Sequence, residues 1–459
     1  LERHGILREN AVFSFCVIGS IDHNMDRKKP TLETSEIGET PLQKFATLVE
    51  FLGVSLPVSD TLCLRAVSEL KKIIHEHQDG QLNVPTNVHP GEMDEAVAEL
   101  VENIAAPSHI PKRRRSIHSI TSASGTQTDD SDTSLNSALK SNFLSNLENN
   151  QKFDPFHWDF DMHQLAKTTP KPLTHMVFVA IDLLDIISEI NVEESILSRY
   201  SQQVERGYRS KNAYHNRLHA ADVVQATGHF LLKGMASNLS AIERFSMIIS
   251  AAIHDLDHPG VNNNFLVAVG DFLALQYNDI SPLENHHVAE GFLLMSDPVR
   301  DITRNMEVKQ KKRFRHIVIN SVLATDMARS FEVIGQFNNI ILDDPEKNFD
   351  WESSDHVDSL MQMVLKMGDV SHPARKFEAH YKWSIRCIEE FYSQGDQEKE
   401  KGLPVLGFMD REIDHLPKSQ IGFLTYVVIP MYKPMASFFP ALVGPLMTNI
   451  SDNIERWKE

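Results

Sequence analysis

The chain has 459 residues, of which 41% are hydrophobic and 24% are charged, and its 63 acidic and 45 basic side chains give a net charge of −18. This composition is typical of a globular protein and excludes a chain that is disordered throughout. An acidic protein without a long Lys/Arg stripe is not expected to bind nucleic acid, because affinity for phosphate backbones comes mainly from clustered cations.

The cysteines and the apolar runs narrow the class of protein further. The three cysteines lie far apart and form no CxxC pair, which excludes a disulfide framework and a thiolate zinc site. The longest apolar runs, residues 11–19 and 176–190, are too short for a membrane span or contain aspartates. We therefore expect a cytoplasmic protein with no membrane span in this chain. Because the chain begins with Leu1, we also expect a missing upstream part that tethers it.

The first 146 residues are predicted to form three segments. Residues 1–37 are interpreted as the remnant of an upstream region. Residues 38–106 contain two predicted helices, 40–53 and 59–77, with apolar residues three and four positions apart, and we expect a small regulatory or dimer-forming unit. Residues 107–146 are rich in Ser, Thr and Asp and cannot bury enough apolar surface to offset their ordering entropy. They are predicted to be a flexible linker.

The linker contains a candidate phosphorylation site. Ser116 follows three consecutive arginines, a placement that attracts a basophilic kinase, and a phosphate there would pair with the positive patch. A solvated charge run without consequence explains the same residues equally well.

Residues 147–459 are predicted to form an all-α domain. Apolar residues recur at helical spacing along this part, for example over residues 173–190, 241–253 and 383–391, and period-two alternation is scarce. The predicted fold class is therefore a multi-helical catalytic domain, preceded by a small helical region and a linker.

Two clusters of ionisable residues in this domain indicate metal chemistry. His215, His219 and Asp222 lie at one-turn intervals along one face of a predicted helix, where they require a metal or a buried hydrogen-bond network. On this motif alone, a hydrogen-bonded histidine pair is an equal alternative. His254-Asp255 ends an apolar helix, and an adjacent His-Asp pair can ligate one metal while the carboxylate bridges to a second ion.

A third position completes a mixed nitrogen and oxygen ligand set. Asp369 follows hydrophobic residues, so an unpaired carboxylate there would be costly. Two histidines and two aspartates without cysteine suit zinc or another first-row divalent ion. We interpret the H…HD…D order as typical of metal-dependent phosphohydrolases of the HD type.

Five separated motifs resemble those of the class I cyclic-nucleotide phosphodiesterases. They occur in the family's order between about residues 158 and 457, and in this sequence they read as follows: His215-Asn216-x-x-His219-Ala220-x-Asp222; His254-Asp255-x-Asp257-His258-Pro259-Gly260; Tyr277-Asn278-Asp279 leading to Leu283-Glu284-Asn285-His286-His287; Leu323-Ala324-Thr325-Asp326-Met327; and Ser419-Gln420-x-Gly422-Phe423. The resemblance implies hydrolysis of cyclic AMP, cyclic GMP or both to the nucleoside 5′-monophosphate, which ends cyclic-nucleotide signalling.

The resemblance implies two divalent metal ions and a histidine acid. The tight ion, usually zinc, would be held by residues that match His219, His254, Asp255 and Asp369. The second ion, magnesium or manganese, would share the carboxylate of Asp255 and keep mostly water ligands, as a hard and strongly hydrated cation prefers. Residues near the metals would hold those waters, and for this we expect His258, Glu284 and Thr325. We also expect Asp222 and His287 to lie next to the metal ligands. His215 would donate the proton to the leaving 3′ oxygen of a phosphate attacked by water that the two ions activate. Orientation of His219 is the alternative role for His215.

The purine is expected to lie at a second group of residues. Gln420 resembles the glutamine that makes paired hydrogen bonds to the base, and Phe423 resembles the aromatic wall on which the base stacks. An amide has a donor side and an acceptor side, so its rotation can serve either purine. We expect Tyr214, His372 and Cys387 to line the rest of this pocket.

Two other functions are compatible with some of these sequence motifs. A broader HD-type phosphohydrolase would act on nucleoside triphosphates, but it needs a basic phosphate clamp that the motifs do not offer. A scaffold that buffers cyclic nucleotides would bind them without turnover.

Overall fold

The computed structural model describes residues 154–342 and 348–459, which form a helical assembly without strands in those two ranges. The predicted segments 1–37, 38–106 and 107–146, and Ser116 among them, lie outside the described residues. The α-helices are α1 (Met162–Thr168), α2 (Pro172–Leu183), α3 (Ile186–Glu189), α4 (Glu194–Gly207), α5 (Arg217–Phe230), α6 (Ala241–Ile253), α7 (Asn263–Val269) and α8 (Phe272–Gln276). They continue as α9 (Pro282–Met295), α10 (Val308–Leu323), α11 (Ser330–Ile341), α12 (Ser354–Asp369), α13 (Phe377–Lys401), α14 (Leu416–Phe423), α15 (Ile429–Phe438) and α16 (Pro440–Lys458).

The predicted all-α fold class is confirmed, and so are two of the three helices named from periodicity. Helix α6 has the predicted bounds, and residues 383–391 lie inside α13. The prediction of one helix over residues 173–190 is wrong, because α2 and α3 are separated at Asp185. The backbone of Asp185 is left-handed, with φ 51°, a conformation that aspartate adopts more readily than most residues. Apolar spacing continues across such a break and therefore does not reveal it.

The core is built around α5, α6, α10 and α12. Helix α5 packs against α2, α6 and α12, while α10 packs against α6 and α12. Every residue of α5 from Leu218 to Phe230 is buried, so its polar side chains are enclosed by other helices rather than by solvent. Buried polar groups require partners, and those of α5 provide part of the site described below.

Local sequence fixes where the site-bearing helices begin and end. The Asn216 side chain accepts from the amide of Leu218 and caps α5, which places His219 in the first turn. Gly368 allows α12 to approach α5 closely, because a Cβ there would lie only 2.9 Å from Thr227 Oγ1. The same approach brings Asp369, at the end of α12, toward the start of α5.

No helix in the described ranges is long and apolar enough to cross a membrane.

Candidate active site

Four predicted metal ligands converge at the ends of three helices. His219 lies in α5, His254 and Asp255 directly follow α6, and Asp369 ends α12. Together the four residues could hold a metal ion, since one ligand atom from each lies within 4.8 Å of the others. The two histidines are buried, whereas the two carboxylates are partly exposed.

The spacing of these ligand atoms fits one coordinated ion. The Nε2 atoms of His219 and His254 lie 3.2 Å apart. Asp369 Oδ1 is 3.1 Å and 3.4 Å from these two nitrogens, and Asp255 Oδ2 is 3.5 Å and 3.1 Å from them. Ligands about 2.0–2.1 Å from a tetrahedral ion are roughly 3.3 Å apart, which agrees with the observed separations.

The protonation pattern supports the same interpretation. His254 Nδ1 donates to the carbonyl of Ala251 at 2.9 Å, which leaves its Nε2 lone pair facing the cluster. Burial works to raise the pKa of Asp369, but its contacts with His219 and His254 outweigh burial and hold the pKa below the ordinary value. Asp255 Oδ2 is buried and makes no hydrogen bond within the described ranges. A cation would satisfy all of these atoms.

A second potential metal group shares the Asp255 carboxylate. Asp255, His258 and His287 could hold an ion, and His287 Nε2 lies 3.8 Å from Asp255 Oδ1. His287 Nδ1 donates to the carbonyl of Leu256 at 2.7 Å, while its Nε2 has no hydrogen-bond partner among the described residues. Asp255 therefore faces two potential metal positions, one through each oxygen.

A histidine and a glutamate stand beside the metal cluster. His215 Nδ1 and Glu390 Oε1 are 2.5 Å apart, and His215 Nε2 lies 4.0 Å from Asp255 Oδ2. Glu390 Oε2 also accepts from the amides of Tyr214 and His215, at 2.8 Å and 3.1 Å. Burial works to lower the pKa of His215, but the Glu390 and Asp255 carboxylates outweigh it and raise the pKa to about 9. The ring is thus protonated at neutral pH, and its Nε2 lies beside the four-residue cluster.

Comparison with known proteins identifies the family. Residues 214–450, slightly more than half of the chain, match the family model described as 3′5′-cyclic nucleotide phosphodiesterase. The chain belongs to this family. The resemblance and the fold type predicted from the sequence motifs are confirmed.

Individual phosphodiesterases show how far the similarity extends. The human high affinity cAMP-specific and IBMX-insensitive 3′,5′-cyclic phosphodiesterase 8A is 36% identical over 320 residues, which cover 66% of this chain and 38% of that protein. The rat 3′,5′-cyclic-AMP phosphodiesterase 4C is 34% identical over 308 residues, covering 66% of this chain and 57% of that protein. The chain thus spans less than two thirds of the length of these curated relatives.

A solved phosphodiesterase has the same fold. The phosphodiesterase domain of the RhoPDE fusion protein from the choanoflagellate Salpingoeca rosetta is 31% identical, with a TM-score of 0.62. The match covers 67% of this chain and 95% of that domain.

Two of the five residues predicted to bind the purine, Gln420 and His372, share one hydrogen-bonded region. Gln420 Oε1 accepts from the Ser384 hydroxyl at 3.0 Å, and Ser384 Oγ lies 3.3 Å from His380 Nδ1. His380 Nε2 accepts from Trp457 Nε1 at 2.7 Å, so the neutral His380 ring carries its proton on Nδ1. His372 Nδ1 lies 3.1 Å from the same Nδ1 atom. This network connects Gln420 with His372.

The other three predicted pocket residues have different surroundings. The Tyr214 ring is buried and packs against His219, with 4.4 Å between ring centroids. Phe423 and Cys387 are partly buried and pack against the main core. Burial raises the pKa of the Cys387 thiol, which makes it unreactive at neutral pH.

Among the five residues expected near the metals, His258 and His287 adjoin Asp255 as described above. Glu284 and Thr325 form hydrogen bonds with other residues. Glu284 accepts from Asn263 Nδ2 at 2.9 Å, and Thr325 Oγ1 donates to the carbonyl of Val322 at 2.7 Å.

Asp222 belongs to a buried hydrogen-bond network, which is one of the two arrangements that its spacing allowed. It lies in α5, and its Oδ1 accepts from Arg375 at 2.9 Å, with both side chains almost fully buried. Arg375 also donates to Gln225 Oε1 at 2.8 Å and stacks over the ring of Trp158. Asp222 therefore ties α5 to the segment after α12.

Sequence reasoning missed Glu390, Ser384 and His380. All three lie in α13, more than 160 positions after His215, and their residue types alone do not distinguish them from other polar helix residues. The sequence places two glutamates, Glu389 and Glu390, between apolar Ile388 and Phe391, and it does not indicate which of them is buried.

Proposed function

We propose that this chain hydrolyses 3′,5′-cyclic nucleotides to nucleoside 5′-monophosphates. The observation that carries the proposal is the position of His215 Nε2, 4.0 Å from Asp255, beside a four-residue cluster whose spacing fits a metal. Such an arrangement would put a proton donor next to a site that binds phosphate through cations, which supports the proposal. The related phosphodiesterases 8A and 4C carry cyclic AMP in their names, which supports the substrate class.

We propose that His219, His254, Asp255 and Asp369 hold zinc, and that magnesium or manganese binds on the other side of Asp255 near His258 and His287. A pair of such ions supplies the positive charge that neutralises the phosphate and activates the attacking water. Two histidines and two carboxylates suit zinc, whereas a site with one shared carboxylate and room for water suits magnesium.

The protein's own groups complete the reaction. Water attacks phosphorus, the bond from phosphorus to the 3′ oxygen breaks, and His215 gives its Nε2 proton to that oxygen. Glu390 keeps His215 oriented and protonated, because it accepts from Nδ1 and stabilises the imidazolium. Gln420 and Phe423 are proposed to hold the purine, with Ser384 fixing the Gln420 amide through its oxygen.

The decisive experiment measures product formation by the purified chain. Cyclic AMP and cyclic GMP are supplied at submicromolar and at high concentration, with and without a chelator, and the 5′-monophosphates are separated by chromatography. Asp369→Ala should lose zinc by elemental analysis together with turnover. Binding of either nucleotide without turnover would support the scaffold alternative, and turnover of nucleoside triphosphates instead would support the broader phosphohydrolase.

Three further proposals concern the whole protein. We propose that it is cytoplasmic, that it forms a homodimer through residues 38–106, and that a basophilic kinase phosphorylates Ser116. Light scattering of the chain with and without residues 1–106 tests the dimer, and phosphopeptide mass spectrometry tests Ser116.

A further inference from the structure

A fully buried lysine lies one helical turn from a proposed metal ligand. Lys366 is in α12, three residues before Asp369, and none of its surface is exposed. Burial of an ammonium group costs several kcal/mol unless it is well paired. The hydrogen-bond partners of Lys366 therefore indicate its structural role.

The Lys366 ammonium binds three consecutive backbone carbonyls. Its Nζ donates to Ala324 O at 2.9 Å, to Thr325 O at 3.2 Å and to Asp326 O at 3.0 Å. These carbonyls follow the end of α10, where helix geometry leaves backbone acceptors without partners. All three ammonium protons are used, so the segment 324–326 is fixed to the helix that ends in Asp369.

The hydrogen bonds continue from this segment to a third part of the site. Asp326 Oδ2 accepts from the Ser281 hydroxyl at 2.6 Å. Ser281 immediately precedes α9, and Glu284 lies in the first turn of that helix. Lys366 is thus connected through Asp326 to the helix that carries Glu284 and His287.

Nearby carboxylates favour the charged, ammonium form of Lys366. Burial lowers the pKa of Lys366 to about 8, while the carboxylates of Asp369 and Asp326 oppose that shift. The side chain therefore remains mostly charged at neutral pH, and a neutral replacement would leave three carbonyls unpaired.

We propose that Lys366 is a positioning residue that holds the segment 324–326, and through Ser281 the helix that carries His287, in place beside the second metal position at Asp255. It contacts neither the proposed ligand atoms nor the substrate and acts through the segment 324–326. This inference rests on the proposed function for the identity of the second metal position.

The test compares Lys366→Met with Lys366→Gln. Methionine removes all three donors at similar length, whereas glutamine keeps two. The probe is Mn²⁺ alone, titrated into the zinc-loaded chain without nucleotide and followed by EPR, together with amide hydrogen exchange at residues 324–326. We expect Lys366→Met to weaken Mn²⁺ binding roughly 10–100-fold, with unchanged zinc content and faster exchange. Lys366→Gln should lose less Mn²⁺ affinity. If the methionine variant does not fold, the glutamine variant provides the test.

Thr174→Val is the matched control, because it removes a buried 2.7 Å hydrogen bond to Glu205 in α4, which carries no site residue. An equal loss of Mn²⁺ affinity in this variant, or wild-type affinity in both Lys366 variants, would overturn the inference. So would a wild-type chain that binds no Mn²⁺ beside zinc. Normal Mn²⁺ binding without cyclic-nucleotide turnover would refute the proposed function and leave the positioning role intact.

Discussion

Replacement of Glu390 by glutamine tests the proposed proton donor most directly. In the wild type, one carboxylate oxygen accepts from His215 Nδ1 and the other accepts from the two amides of Tyr214 and His215. Glutamine has only one oxygen, and the two amides require it. The NH₂ group of Gln would then face Nδ1, so the imidazolium would lose its acceptor and its countercharge.

The expected magnitude follows from the pKa of His215. Without the Glu390 charge, burial should lower that pKa from about 9 toward the ordinary value of about 6.5. The protonated fraction at pH 7.5 then falls roughly tenfold, and loss of orientation should bring the total decrease in kcat to roughly 10²–10⁴-fold. The alkaline limb of the rate profile should move to lower pH, because the reaction requires protonated His215.

The assay compares a cyclic nucleotide with a nitrophenyl phosphodiester, whose leaving group needs no proton. Glu390→Gln should lose much of its activity on the former and little on the latter. Glu389→Gln is the matched control, since that side chain is 59% exposed and pairs only with Arg411, at 3.6 Å, among the described residues. Equal losses on both substrates, or an unmoved alkaline limb, would refute the role of Glu390 and His215 as proton donor.

Three other outcomes are expected. Gln420→Ala should chiefly raise KM, since it removes the base contact and not the reacting groups, and an unchanged KM for both nucleotides would count against its role. Arg375→Met should lower the free energy of unfolding by roughly 3–5 kcal/mol, because the buried Asp222 loses its partner; denaturant titration showing a loss below about 1 kcal/mol would contradict this. Burial lowers the pKa of His380 to about 3. The stabilising contribution of the neutral His380 side chain is therefore present above pH 6.5. It is lost as pH falls, by up to roughly 1.4 kcal/mol per pH unit. His380→Gln should flatten that dependence in unfolding experiments between pH 7 and 4, and an identical slope would exclude His380 as its source.

Several site residues were predictable because their chemistry follows from the residues next to them in the sequence. His254-Asp255 follows an apolar helix, and Asp369 follows another, so a carboxylate in each apolar setting requires a cation or a partner. The helical period predicts His215 and His219 on one helical face, but α5 begins at Arg217 after its cap Asn216, so His215 lies just before the helix. These residues carried the family resemblance, which the comparisons confirm.

The same local reasoning grouped Asp222 with the histidines, and here the tertiary structure gives a different partner. Residues three apart on a helix share a face only approximately, and the helix packed against that face determines the contact. Arg375, which follows α12, reaches Asp222 at 2.9 Å. A buried carboxylate predicts that a partner exists, but it does not say whether the partner is a metal or a guanidinium.

The sequence by itself determined the helical class, the family and the residue types that can bind metal and donate a proton, because periodicity and motif spacing are local properties. Only the tertiary structure decided that Glu390 forms a hydrogen bond with His215. The same is true of the hydrogen bonds from Lys366 to the segment containing Thr325, and from Ser384, next to His380, to Gln420. Apart from the one-turn contact between Ser384 and His380, these pairings join residues 36 to 175 positions apart. Contacts over such separations depend on how the helices cross, and that crossing is set by the packing of the whole core.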